Sequence, residues 1–147
     1  MYESYTRQAL PSKEYRELLG SAICVFNSNN AFVIENILHT NNDDFDWFSL
    51  IDKESGKLRA SIKATITAVA GDEIEVLFAE IVEMRNRIIH SFQITYDGEQ
   101  ILATKTKVAD GNVQFKITEE YLRDFIKKNQ RLSNLLYKYR KTIQTVA

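Results

Sequence analysis

Apolar positions recur every three or four residues over much of the chain. Tyr15, Leu19, Ala22, Phe26, Asn29, Val33 and Ile37 share one face at helical spacing. They predict one long helix from Pro11 and Ser12 to about Leu38, with proline tolerated in the first turn and serine as its cap. Asn29 and Asn30 fall on or beside that stripe, so the helix either bends there or buries amides that need partners. The stretch "HTNNDDFDWFSLIDKESG" reads as a connection around a short apolar helix or turn containing Phe45, Trp47, Phe48, Leu50 and Ile51. Leu58, Ile62, Ala64, Ile66 and Val69 predict a second helix ending before Gly71. Asp72, with Glu75 three residues on, reads as a capping box that opens a third. Its stripe runs through Ile74, Leu77, Phe78 and Ile81, and then through Arg85, Ile88 and Phe92.

The period then changes. Asp97-Gly98 and Asp110-Gly111 are hairpin signals, and Val113, Phe115 and Ile117 alternate. A small antiparallel meander of two or three strands is expected at about residues 93–117. Thr118 reads as the cap of a last helix, with Glu119 and Glu120 in its first turn. Leu122, Phe125, Asn129, Leu132, Leu136, Tyr139 and Ile143 form a coiled-coil-like seam with asparagine at one core position. Such a seam packs within the bundle or is shared with a second copy. The whole predicts a mainly α, single domain over residues 1–147, with a β insertion before the last helix.

Composition narrows the setting. Nineteen Lys and Arg against 20 Asp and Glu give a net charge of −1, so a nucleic acid or an anionic surface would have to be met by a local patch. Cys24, the one cysteine, cannot form an intrachain disulfide and reads as a small buried hydrophobe. Residues 1–10 read as a loose arm. The polar start lacks a signal-peptide pattern, and no apolar run approaches a membrane span, so a cytoplasmic location is expected. With His39, His90 and Cys24 as the only soft ligands, a zinc site is not expected. Asp43, Asp44 and Asp46 lack the spacing of a calcium loop and read as capping residues. No metal and no cofactor are predicted.

The candidate chemistry lies in "EMRNRIIHSF", Glu83 to Phe92. Arg85 falls in the core stripe, where a cation must be paired, face a partner or line a wet cleft. Asn86 and His90 are four apart and share a face, and Arg87 is three before His90. Arg85 is five before His90, roughly 140° around a regular helix. Imidazole transfers protons near neutrality, and guanidinium grips phosphate. The two together suit cleavage of an RNA phosphodiester, with cations offsetting charge that grows on phosphorus. The same residues also have a structural explanation: a histidine at a helix C-terminus complements the helix dipole, and Glu83 and Arg87 form an ordinary (i, i+4) pair.

The segment "RNRIIH", Arg85 to His90, resembles the signature of the HEPN superfamily: an arginine, a polar residue after it, and a histidine at the end of a helix. The stretches "EYRELLGSAICVFNSNNAFVIENILHT" and "GDEIEVLFAEIVEMRNRIIHSF" are similar to helices of that superfamily. The resemblance implies a four-helix up-and-down bundle that forms a homodimer with two motif copies facing one cleft. It implies a metal-independent endoribonuclease, a toxin or antiviral defence effector, that leaves a 2′,3′-cyclic phosphate and a 5′-hydroxyl. Arg85 would hold the phosphate, His90 would transfer the proton, and Asn86 would support them. In HEPN toxins paired with small nucleotidyltransferase antitoxins, a tyrosine two residues after the histidine is adenylylated. Phe92 stands there in this chain and has no hydroxyl to modify, unless Tyr96 substitutes.

Further basic residues extend the reading. Arg87, Lys127, Lys128 and Arg131 are the expected RNA contacts, and Lys105, Lys107 and Lys116 could lengthen the track. Trp47 and Tyr96 are the aromatic groups considered for base stacking, with Trp47 better read as core. RNA as substrate, a second copy of the chain and an antitoxin or regulatory protein are the expected partners. The alternative is a non-catalytic dimeric interaction module, which needs no special role for His90.

Overall fold

The computed structural model describes residues 1–146, with side chains through Gln144. The fold is mainly helical with one small sheet. The elements are α1 (Lys13–Thr40), α2 (Trp47–Asp52), α3 (Leu58–Ile62), α4 (Ala68–Ala70), α5 (Glu73–Ile89), β1 (Phe92–Tyr96), β2 (Glu99–Lys105), β3 (Gln114–Ile117) and α6 (Glu119–Val146). A π-helical turn at Lys63–Thr67 joins α3 to α4 without a break. No helix among the described residues is long and apolar enough to cross a membrane.

Helix α1 begins at Lys13 with Ser12 as its cap, as expected, but Pro11 precedes the cap and does not enter the first turn. Ser12 Oγ accepts from the Tyr15 N–H at 3.1 Å, and one unbroken helix continues to Thr40. Its stripe is buried at Tyr15, Ala22, Phe26, Asn29, Val33 and Ile37. Asn29 does not break it but makes a polar contact with α6. Its Nδ2 donates to the Asn129 carbonyl at 2.7 Å and to Asn129 Oδ1 at 3.0 Å. Its Oδ1 accepts from Ser133 Oγ at 2.7 Å. The seam of α6 faces inward along its length, with Leu122, Phe125, Asn129, Leu132, Leu136 and Tyr139 all buried. Those side chains are used inside the chain and are not available to a second copy.

Contacts along the two long helices fix their sense. Tyr15 meets Ile117, just before α6; Asn29 meets Asn129; Thr40 meets Tyr139. α1 and α6 therefore run parallel, which a strict up-and-down succession would not give. α5 runs against them: its Glu80 pairs with Lys128, and its Met84 carbonyl accepts from the Tyr121 hydroxyl. The core closes where all three meet. The Phe26 ring stacks at 6.4 Å from Phe78 of α5 and 6.1 Å from Phe125 of α6.

The sheet has order β1-β2-β3 and is antiparallel throughout. Asp97 (φ 55°) and Gly98 (φ 79°) form the tight β1–β2 turn, where two left-handed residues suit the strand twist. Leu102 stands opposite Ile117 and packs against the helices, whereas Val113, expected in alternation with Phe115 and Ile117, lies outside β3 and is exposed. Tyr15 secures this end of the molecule. Its hydroxyl donates to the Ile117 carbonyl at 2.6 Å and accepts from the Leu102 N–H at 3.2 Å.

Several expectations are corrected. Asp72 makes no side-chain cap, and Glu75 does not reach back to it. Glu75 is instead buried, with Arg59 Nε at 2.9 Å and Thr67 Oγ1 at 3.0 Å on its two oxygens. Burial in this segment falls on Ser61, Ile62, Thr65 and Ile66, leaving Ala64 and Val69 exposed. Cys24 is exposed, not buried. The arm holds a 3₁₀ turn at Tyr2–Tyr5 whose Glu3 pairs with Arg16. α5 stops at Ile89, so Phe92 belongs to β1 and not to the helical stripe.

Asn29→Ala leaves Asn129 Oδ1 and Ser133 Oγ without their buried partner and lowers the unfolding free energy by about 1–3 kcal/mol, read from urea denaturation. The Arg59 hydrogen bond, helped by the Thr67 hydroxyl and by the charges of Lys63 and Arg59, holds the Glu75 carboxyl below its ordinary pKa despite burial. A depressed folded value means that the ionised pair stabilises the fold above the unfolded pKa of about 4.3, and that this gain disappears as pH falls through the folded value. The wild type should therefore lose stability more steeply below about pH 4.3 than Glu75→Gln, measured by denaturation across pH.

Candidate functional site

The end of α5 sets the site. The His90 N–H donates to the Asn86 carbonyl at 2.9 Å, which closes the last helical turn. The His90 carbonyl accepts from Thr104 Oγ1 at 3.1 Å, and Ser91 Oγ bonds the Ile88 carbonyl at 2.7 Å. The backbone of His90 is thus held from the helix and from β2, while its side chain is exposed. No hydrogen bond or ion pair engages its ring among the described residues. Thr104 is buried and carries no motif signal; only the register of β2 against α5 brings it here.

Arg85 takes the core-facing slot that the stripe assigns to it. Its guanidinium lies 5.1 Å over the Phe26 ring, and its Nε is buried without a hydrogen-bond partner. Burial pushes its pKa down from the ordinary arginine value, and the charge of exposed Glu54 pushes it back up. Among the described residues, no carboxylate lies within ion-pair distance of it. A half-buried guanidinium held by a ring face, with N–H groups left over, is a ready receptor for an oxyanion.

Asn86 turns to a different side. It lines a cleft of about 200 Å³ together with Ser55, Arg59, Glu83 and Lys107. Arg87 is engaged by the protein. Its Nη1 donates to the Lys105 carbonyl at 2.7 Å, and its Nε lies 3.2 Å from Glu83 Oε1, close enough for an ion pair but not aligned as a hydrogen bond. Glu83 also meets Lys107 Nζ at 3.1 Å. Tyr121, whose hydroxyl donates to the Met84 carbonyl, has its pKa pushed up to about 12, first by burial and then by the charge of Glu83. It is no acid or base near neutrality.

The α6 cations stand further off. Lys128 pairs with Glu80 at 2.8 Å, and Glu80 is ten residues before His90, about 15 Å along α5. Lys127 and Arg131 are exposed on the same helix. Arg87, bonded to the Lys105 carbonyl of β2, and Lys107, in the connection after β2, are both paired with Glu83. Asp43, Asp44 and Asp46 do not converge. Asp46 caps α2 by accepting from the Ser49 N–H and hydroxyl, and Asp44 accepts from Asn41 Nδ2. Among the described residues, no three His, Cys, Asp or Glu side chains gather as a metal site would need. His39 lies at the far end of α1, 3.2 Å from Arg140. Trp47 packs against the core.

The arrangement therefore offers an exposed imidazole and an unpaired guanidinium on one helix. No hydrogen bond joins them within the chain. No family model, curated protein or solved structure matches this chain.

If Arg85 is kept for binding and not for stability, removing its charge should not weaken the fold. Arg85→Met keeps an aliphatic stem over Phe26 and removes a buried unpaired donor. Its melting temperature is expected to equal or exceed that of the wild type, measured by circular dichroism.

Proposed function

We propose that this chain is a HEPN-type endoribonuclease that acts as a homodimer and needs no metal ion. The carrying observation is Arg85: a half-buried guanidinium with no carboxylate partner, on the same helix as an exposed histidine whose backbone is fixed. In this reading Arg85 grips the scissile phosphate and offsets the charge that grows on it. His90 transfers a proton, either from the ribose 2′-hydroxyl or to the departing 5′-oxygen. The 2′-oxygen bonds to phosphorus as the bond to the 5′-oxygen breaks. The products are a 2′,3′-cyclic phosphate and a 5′-hydroxyl. Asn86, open to its cleft, supports the strand on the other side.

A second copy belongs to this reading for a geometric reason. Side chains five residues apart on a helix diverge by roughly 140°, so Arg85 of one subunit is better placed beside His90 of the other. Cytoplasmic action as a toxin or antiviral effector, held in check by another protein, completes the proposal. Phe92 leaves no hydroxyl for adenylylation two residues after His90, so restraint by binding fits this chain better.

A second reading, a non-catalytic dimeric interaction module, is favoured by Arg87, whose bonds to Lys105 and Glu83 give it structural work without RNA. Incubation of the purified chain with bulk RNA in EDTA separates the two. Cleavage with cyclic-phosphate ends is expected from the wild type. His90→Ala and Arg85→Ala should each reduce it by at least about 100-fold, with helicity and sedimentation unchanged. A wild type that leaves RNA intact, or a His90→Ala variant as active as wild type, removes the catalytic reading.

A further inference from the structure

The outer face of the meander is built unlike the rest of the surface. Side chains alternate along a strand, and Leu102, Thr104 and Ile117 point to the helices. The opposite face carries Phe92, Ile94 and Tyr96 from β1, Glu99 and Lys105 from β2 and Lys116 from β3, by the registers Phe92 with Ala103, Ile94 with Ile101, Tyr96 with Glu99 and Ala103 with Lys116. Phe92 is 44% exposed and Tyr96 is 51% exposed, so two aromatic rings stand open to solvent on one strand. Lys116 Nζ lies 4.1 Å from the centre of the Tyr96 ring. Among the described residues, neither Lys105 nor Lys116 has a carboxylate within ion-pair distance. Phe92 is two residues past His90, and the His90 carbonyl is bonded by Thr104 of the same sheet.

We infer that this face is a base-stacking platform for single-stranded RNA, and that it carries the strand leading away from the scissile phosphate. The inference rests on the nuclease reading for its ligand class but uses none of the catalytic residues. Aromatic rings stack on bases of any sequence, and neighbouring cations take the phosphates between them. The two rings are four residues apart, about 13 Å along the strand, which seats separate bases and not one. Lys116 Nζ lies over one face of the Tyr96 ring, so a base would stack on the opposite face, with the ammonium close enough to meet its phosphate. Lys105 Nζ is held by Asn112 Oδ1 at 2.6 Å and by the Thr106 carbonyl, so Lys116 is the cation on this face left for a phosphate, and it favours a polyanion over a second copy of this chain.

The test uses a fluorescent single-stranded RNA with 2′-O-methyl riboses, which binds but lacks the attacking hydroxyl. Anisotropy titration of the full chain should give saturable binding. Tyr96→Ala and Phe92→Ala should each weaken it about ten-fold, and Tyr96→Phe should not. Lys116→Ala should lower the slope of log affinity against log salt by about 0.7, the value for one contact to a single strand. On cleavable RNA, Tyr96→Ala should raise KM and leave kcat within a few-fold of wild type. Wild-type affinity in both alanine variants overturns the platform and leaves the nuclease reading intact. A smaller particle in sedimentation for Phe92→Ala, with RNA affinity unchanged, assigns the face to a second copy and likewise overturns it. Loss of RNA binding in Tyr96→Ala, with His90→Ala still cleaving as wild type, sustains the platform and sinks the catalytic assignment. Absence of both binding and cleavage by wild type removes both.

Discussion

Phe26 is the point on which the three long helices converge, and the guanidinium of Arg85 lies over it. A ring stacked between Phe78 and Phe125 fixes how closely α1, α5 and α6 approach. Phe26 is buried, the guanidinium is part of what covers it, and a cation suits a π-system better than an unpaired amide or hydroxyl does. The same contact that completes the core therefore sets the position of the one residue there that the core does not need to be charged. A leucine or methionine would cover Phe26 as well. Retaining an arginine keeps a buried Nε without a partner, a local imperfection that packing alone does not explain.

The parallel course of α1 and α6 depends on a different kind of contact. Apolar stripes tolerate sliding by a turn, but amides do not. Asn29 can donate its two hydrogen bonds to Asn129 only in one register, and Ser133 adds a second anchor to the same Asn29 amide. Slippage would leave these groups buried and unpaired. With that register fixed, Thr40 meets Tyr139 at one end and Tyr15 meets the sheet at the other. The sheet in turn places Thr104 on the His90 carbonyl. The histidine is held by a chain of contacts that begins two helices away.

The periodicity of the chain carried much of this. The α1 stripe, the inward seam of α6 and the Asp97-Gly98 turn are local patterns, written within a few residues of each other, and they appear as expected. Arg85 was legible as an anomaly for the same reason: a charge in a slot reserved for packing. What could not be read was whatever depends on meeting a distant segment. The capping-box pattern at Asp72 and Glu75 lost to Arg59 and Thr67, which are neighbours only once the π turn has formed. Thr104 looks like any strand threonine until β2 is laid against α5. The basic run on α6 was visible, but its distance from His90 was not, because that is a matter of helix direction. The parallel sense of α1 and α6 contradicts simple alternation and has no local signature at all.

Tyr15 ties the opening turn of the first long helix to strands that arrive some hundred residues later. α1 and α6 likewise bury their stripes largely against each other. During synthesis, then, the α1 stripe emerges with its main counterpart still unmade, and intermediate segments offer it only partial cover. Such a topology has many contacts between remote parts of the chain and is expected to assemble late and as a unit, with the early helix a natural client for chaperones until α6 leaves the ribosome.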